Sequence, residues 1–246
     1  HKEHRYIAIS ILCLLVAYSI LYLFNNETIT LLAQEDGFYE TATAIWFLVT
    51  AIIFFYLFFK DTTGNNFFRL KFKKNVFFLL LGMLFVFGAG EEINWGQRIL
   101  DLQTPESLKE RNLQGQINIH NLKIFHGSYE HGERKTGFAK LLTAGRLFSI
   151  FWLVWCFILP ILNKVNSKIA KWLRNMNMPI VAIWIGVLFV LNHLISKLAE
   201  LTTSHNLLHY IVEIKEHNFG LLFFIVGLWF LANYRGKINF DKPHKA

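Results

Sequence analysis

The run Val76-Phe77-Phe78-Leu79-Leu80-Leu81-Gly82-Met83-Leu84-Phe85-Val86-Phe87-Gly88-Ala89 is apolar throughout and stops at Gly90-Glu91-Glu92-Ile93-Asn94-Trp95-Gly96-Gln97-Arg98. An uncharged stretch of this kind reads as a helix that crosses a bilayer, which needs about 20 mostly apolar residues. The two carboxylates at its end are the unusual part. A charge beside hydrocarbon is costly, and one that is retained there is paired, metal-bound or chemically useful. Trp95 belongs to the residue type that settles at the membrane–water boundary. Gln97 and Arg98 add donors able to hold an anion or a carboxylate. A simple anchor needs none of these groups.

The rest of the chain repeats the apolar pattern. Of its 246 residues 54% are hydrophobic and 17% charged, with 25 Phe, four Pro and a mean hydropathy of +0.35. A water-soluble domain of this length seldom has that balance. Six stretches have the length and composition of spans: 6–24, 41–59, 75–92, 141–163, 179–197 and 219–234. The first is too long for the apolar core of a signal peptide and reads as a signal anchor. Cys13 and Cys156 both lie inside apolar runs and form no CxxC pair, so they give no disulfide framework. No repeat or low-complexity linker divides the chain, which reads as one integral membrane domain, 1–246. Asn26-Glu27-Thr28 fits a glycosylation sequon, a short and weak pattern.

Charge supplies the orientation. With the N-terminus in the cytoplasm, segments 1–5, 60–74, 164–178 and 235–246 are internal. They hold 15 of the 25 basic residues against three acids, Glu3, Asp61 and Asp241. Positive charge on cytoplasmic segments is the usual topological bias. The pI of about 9.5 is thus a topology signal, and no nucleic-acid module accompanies it. The expected fold is all-α, a polytopic membrane helix bundle of about six transmembrane helices with both termini cytoplasmic. A long outer segment, 93–140, carries short interfacial helices, one of them capped at Thr104-Pro105-Glu106 and running to about Asn112, with Gly115 breaking it. Seven of the ten histidines, at 120, 126, 131, 193, 205, 209 and 217, fall on the outer side with most of the acids.

Several groups on that side have the right chemistry for a site. Adjacent helical residues point about 100° apart, so one of Glu91 and Glu92 faces any shared centre; as a general acid/base or ligand it is weighed against a plain helix end paired with Arg98 or Arg146. Glu40 follows Glu35 and Asp36 at the entry to the second span, where Asp36 can cap the helix and Glu40 can favour its dipole or serve the site. Gln116, Asn118 and His120 alternate with isoleucines, which suggests an extended segment with one polar face. His205, His209, Glu213 and His217 recur every four residues and share one helical face, either as a metal-binding surface or as a solvated one. His193 lies within a predicted span beside Asn192 and is weighed against a hydrogen-bonded core histidine. Arg146 also falls within a predicted span. His126 and His131 sit in a polar loop and receive no role.

Glu35-Asp36-Gly37-Phe38-Tyr39-Glu40, the Gly90–Arg98 stretch and Asn118-Ile119-His120-Asn121 together resemble an uncharacterised family of bacterial multi-pass membrane proteins. That family combines a G-E-E-[IL]-[SN]-W-G-Q-R motif with a downstream N-x-H-N. The resemblance spans residues 35–121 and implies a bacterial cytoplasmic membrane location with the site facing the periplasm or exterior. It carries no activity with it. In arrangement alone, acids and histidines at one membrane face are similar to zinc hydrolases of the alkaline-ceramidase type, whose serine and histidine motifs this chain lacks.

The leading functional expectation is a metal-dependent membrane enzyme acting by hydrolysis or transfer on a lipid or lipid-linked substrate. Its catalytic candidates are Glu91, Glu92, Glu40 and Arg98. The candidate ligands of a divalent zinc, iron or manganese ion are Glu92, His120, His193, His205 and His209. The alternatives are a proton- or cation-coupled transporter or channel, and a non-catalytic scaffold presenting 93–140 to a partner. The near-pure Phe, Leu, Ile and Val composition of the inner half-spans argues against a through-path.

Overall fold

A computed structural model describes residues 2–34, 37–67, 70–97, 99–128, 133–203 and 207–237. Among these the chain is an all-α membrane helix bundle with one small β-hairpin. The apolar helices are α1 (Lys2–Leu23), α3 (Phe38–Lys60), α4 (Val76–Glu92), the continuous stretch Ala144–Val165, α10 (Ile183–Thr202) and α11 (Leu208–Lys237). Five segments are long and apolar enough to cross a membrane: Tyr6–Leu23, α3 within Asn26–Lys60, Ala144–Val165, Ile183–Thr202 and Leu208–Asn233. The sequence anticipates a sixth at 75–92. There α4 has 17 residues, about 25 Å at 1.5 Å per residue, slightly short of the hydrocarbon thickness.

Asparagines start several of these helices by offering a side-chain oxygen to otherwise unpaired N–H groups. Asn25 caps α2 (Asn26–Ala33) by accepting from Thr28 N at 2.9 Å, and Asn75 caps α4 by accepting from Phe77 N at 3.1 Å. Asn166 caps α9 (Ser167–Asn175) by accepting from Lys168 and Ile169 N at 3.1 Å each. Gly37, next to residues outside the described set, occupies the N-cap position of α3. Glu40 lies in the first turn of α3, as the sequence suggests.

The stretch Ala144–Val165 is not a uniform helix. Its first part, α7 (Ala144–Trp152), passes through a π-helical segment, Leu153–Ile158, into α8 (Leu159–Val165). Pro160 has no N–H to donate, and a wider local winding absorbs the resulting break in the hydrogen-bond ladder. The Cys156 carbonyl of this segment lies against Gly186 of α10, where an added Cβ would sit 2.1 Å from that oxygen. Only glycine permits the two backbones to approach so closely.

Phenylalanine and tryptophan fill the bundle centre. Phe54 stacks on Phe85 with centroids 5.7 Å apart, Phe85 meets Phe223 at 4.9 Å, and Phe223 meets Phe189 at 4.8 Å. Trp155 and Phe230 extend the cluster. Offset and edge-on rings at these distances gain more than their buried area alone supplies. A second buried cluster joins α1, α2, α3, α10 and α11 through Tyr18, Ile29, Tyr39, Ala199 and Ile211.

Several local expectations change. The last helix begins at Leu208, so His209, Glu213 and His217 belong to the spanning helix itself and not to a separate outer helix. Helix α10 begins at Ile183 instead of 179, and the Pro179 carbonyl ahead of it accepts from Trp155 Nε1 at 3.1 Å. Helix α5 is only Glu106–Lys109: Pro105 is its N-cap, while Thr104 Oγ1 accepts from Gln97 Nε2 at 2.7 Å. Arg146 keeps its expected place within the apolar stretch Ala144–Val165, exposed in the first turn of α7. Helices α2 and α9 and the hairpin of β1 (Asn65–Phe67) with β2 (Leu70–Phe72) lie where the sequence pattern marks no element.

Candidate functional site

The two adjacent glutamates at the end of α4 go to different places. Glu91 is buried and accepts four donors. Trp95 Nε1 donates to Oε1 at 2.6 Å, while Ile119 N and His120 N donate to Oε2 at 2.8 and 2.7 Å. His120 Nδ1 lies 3.2 Å from the same oxygen. An ionised carboxylate offers acceptors only, and every one of these partners is able to donate.

This is the first point of a longer clamp. Asn94 Oδ1 accepts from Asn118 Nδ2, and Gln97 Oε1 accepts from Ile117 N at 2.9 Å. Asn118 is itself fully enclosed, receiving Asn112 Nδ2 at its side-chain oxygen at 2.9 Å and donating to Gln116 Oε1 at 2.8 Å. Glu91, Asn94 and Gln97 therefore grip residues 117–120, some two dozen positions further along. The sequence predicts an extended 114–121 segment with one polar face. The structure has bends there and no regular strand, yet Gln116 and Asn118 do face the clamp while Ile119 is 40% exposed.

The clamp requires an unusual backbone. Asn94, Trp95 and Gly96 all have positive φ, at 49°, 55° and 74°. Glycine adopts this region freely and Asn tolerates it, but for Trp it costs about 1–2 kcal/mol. The Trp95 ring offsets that cost: it donates to Glu91, meets Phe87 edge-on at 5.8 Å and lies across Gly90. A Cβ on Gly90 would sit 2.7 Å from the Trp95 ring. The glycine of Gly-Glu-Glu is thus the seat of the tryptophan.

Glu92 turns the other way. The carboxylates acting on it electrostatically are Glu216, Glu40, Glu213 and Glu91, drawn from α11, α3 and α4. The helix period explains the convergence. Seven residues make nearly two turns, about 10 Å along the axis and on the same face. Glu40 lies seven residues before Phe47, Glu92 seven after Phe85, and Glu216 seven before Phe223. Those three rings touch one another, with centroid separations of 5.8 Å for Phe47–Phe85, 6.2 Å for Phe47–Phe223 and 4.9 Å for Phe85–Phe223. Three glutamates therefore stand two turns from a closed phenylalanine triad, as the rim of a cup stands over its floor. Beside the rim, Trp46 Nε1 donates to His217 Nε2 at 3.2 Å, and the Tyr39 ring meets His217 edge-on at 4.9 Å.

Among the described residues, the candidate metal ligands His120, His193 and His209 lie in separate settings. His120 is engaged by Glu91 and not by Glu92. His193 lies against the Trp152 ring at 6.1 Å. His209 faces Glu213 at 3.9 Å along its own helix. Among the described residues no three His, Cys, Asp or Glu side chains are grouped closely enough to hold a metal ion. Arg98, His205, Glu35, Asp36 and His131 lie outside the described residues. Glu216 received no role from sequence, although its i, i+3 spacing from Glu213 at the foot of an apolar helix was a usable signal. The structural importance of Asn94, Gln97 and Asn112 had no local signal at all.

The arrangement offers two kinds of chemistry. The cup assembles carboxylates from three helices that act on one another electrostatically, a setting suited to acid/base work or to attracting a cation. The Glu91–His120 pair orients an imidazole by one nitrogen and leaves Nε2 available on a half-exposed ring. No protein-family model, curated protein or solved structure matches this chain.

Proposed function

We propose that the protein is a membrane-embedded enzyme whose reacting group is Glu92, acting by hydrolysis or transfer on a lipid or lipid-linked substrate. The observation that carries this reading is the convergence of Glu40, Glu213 and Glu216 on Glu92 above a phenylalanine floor. A carboxylate held at the end of a packed helix, facing carboxylates from two other helices, has the fixed position that a general acid/base needs. The packed rings beneath it make the cup one-sided, as an enzyme site is and a channel is not. A substrate with a polar head and an apolar tail suits a site at the end of lipid-facing helices.

In this reading α4 is the sixth span, both termini are cytoplasmic, and the cup faces the periplasm or exterior of a bacterial cytoplasmic membrane. The Gly-Glu-Glu-Ile-Asn-Trp-Gly-Gln-Arg and Asn-Ile-His-Asn motifs would then be the clamp and rim of the uncharacterised family they resemble. Among the described residues, Glu92, His120, His193 and His209 form no metal-holding group, and the reading proposed for Glu92 uses no metal.

Reconstitution of the full chain with a panel of phospholipids and lipid-linked phosphates, followed by mass spectrometry of the lipid fraction, tests the proposal. Conversion of at least one lipid class is the expected result. Proton or cation flux without conversion would replace the reading by a transporter. That second reading is favoured by one observation: buried Tyr18, Asn192, Ser196 and Asn218 continue a polar layer between α1, α10 and α11, with Tyr18 donating to Asn192 Oδ1 at 3.1 Å.

A further inference from the structure

The end of the bundle opposite the glutamate cup carries a different chemistry. Segments 60–75 and 164–178 contain nine basic residues and a single acid, Asp61. They are stitched into one surface although about a hundred residues separate them. Asn75 Nδ2 donates to the Asn177 carbonyl at 2.7 Å, and Asn177 Nδ2 donates to Thr63 Oγ1 and the Gly64 carbonyl at 2.6 and 2.7 Å.

Asp61 contributes no charge to that surface. It is 3% exposed and accepts from Thr63 Oγ1 at 2.7 Å, Asn75 N at 2.8 Å and Gly64 N at 3.0 Å. Its charge is spent inside the turn that holds the hairpin. The outward groups are cationic: Lys71 and Lys73 on and just after β2, Lys164 at the end of α8, and Lys168, Lys171 and Arg174 on α9 are all exposed.

Helix α9 is held in one orientation. Ala170 and Leu173 are buried at 5% and 1% exposure, which turns Lys168, Lys171 and Trp172 outward on the opposite face. Trp172 is 54% exposed. The helix follows Val165, the last residue of a candidate span, after one intervening residue, so its outer face lies at the level where a bilayer ends. A basic helical face with an exposed tryptophan at that depth matches anionic headgroups in charge and the interfacial layer in polarity.

We infer that α9 and the β1–β2 hairpin form a docking surface for anionic phospholipid headgroups. The occupant is the phosphate-bearing headgroup of the surrounding leaflet, bound by several lysines at once and aligned by Trp172. The inference stands on the charge and packing of this end and does not depend on the reaction proposed at Glu92.

The test uses the full chain purified in a neutral detergent, with phosphatidylglycerol or phosphatidylcholine added in equal amounts and retained lipid read by native mass spectrometry. Wild type should retain phosphatidylglycerol on the order of tenfold over phosphatidylcholine, and the preference should fall about tenfold or more in Lys168→Gln/Lys171→Gln/Arg174→Gln, given roughly 1 kcal/mol per basic residue near an anionic surface. Lys168→Arg/Lys171→Arg/Arg174→Lys should keep it. Equal retention of both lipids, or an unchanged preference in the neutral triple variant, would overturn the inference. Should that variant fail to fold, wild type decides alone: its preference must weaken between about 0.05 and 0.5 M salt, and a salt-independent preference contradicts it. Displacement of phosphatidylglycerol by equimolar RNA or an acidic peptide would equally overturn a lipid assignment.

Discussion

At the scale of single residues, two neighbouring glutamates have separate tasks. Glu91 is a structural acceptor, because its oxygens are filled by Trp95, Ile119 and His120. Glu91→Gln presents an amide NH2 to groups that need an acceptor. It should cost about 2–3 kcal/mol, the scale of hydrogen bonds to a charged group, seen as a lowered melting temperature and as faster proteolysis within 93–128. Gly90→Ala should lower the melting temperature by a similar mechanism at one remove, since the new methyl overlaps the Trp95 ring and costs about 1–3 kcal/mol; Trp95 fluorescence should shift with it. Unchanged melting of either variant would show that the clamp is not what holds the loop. Sequence alone could say that Glu91 and Glu92 diverge, since adjacent helical positions cannot share a direction. It could not say which faced the site, because that depends on where Ile119 and His120 fold back, 28 and 29 residues away.

At the scale of elements, the positions of helices were readable and their junctions were not. Apolar runs determine where α1, α3, α4, α10 and α11 lie. Asn25, Asn75 and Asn166 are recognisable caps in retrospect. The π-helical segment at Leu153–Ile158 was hidden, because its cause is the joint effect of Pro160 and the approach of Gly186 from another helix. That crossing makes a prediction. Gly186→Ala places a Cβ into the Cys156 carbonyl and must push α10 away, so a loss of about 3 kcal/mol or more is expected, measured by thermal unfolding in detergent. Gly145→Ala, where nothing lies within 4 Å of the added atom, is the control and should be nearly neutral. Equal melting of the two variants would contradict the crossing. The hairpin and α9 were missed for another reason: three-residue strands and a nine-residue helix with three basic residues have too little pattern to distinguish them from a charged loop.

At the scale of the whole molecule, the bundle is polarised along its length. One end gathers carboxylates on α3, α4 and α11, the middle is closed by aromatic rings, and the other end is basic. The basic end and the apolar middle are written in composition. The cup was partly legible, as Glu40, Glu92 and Glu213 were singled out by type and position; the repeating seven-residue step from glutamate to phenylalanine on three helices was available but becomes meaningful only once those helices are known to be neighbours. The aromatic middle predicts that wild-type liposomes show no proton or cation leak above protein-free vesicles, checked with a pH-sensitive dye under an imposed gradient. Lipid conversion by reconstituted Glu92→Gln, compared with wild type at matched folding, decides whether Glu92 is the reacting group proposed for this one-sided site. A loss of at least about a hundredfold is expected, the usual contribution of a positioned acid/base, with the melting temperature unchanged; conversion at the wild-type rate by Glu92→Gln would rule Glu92 out.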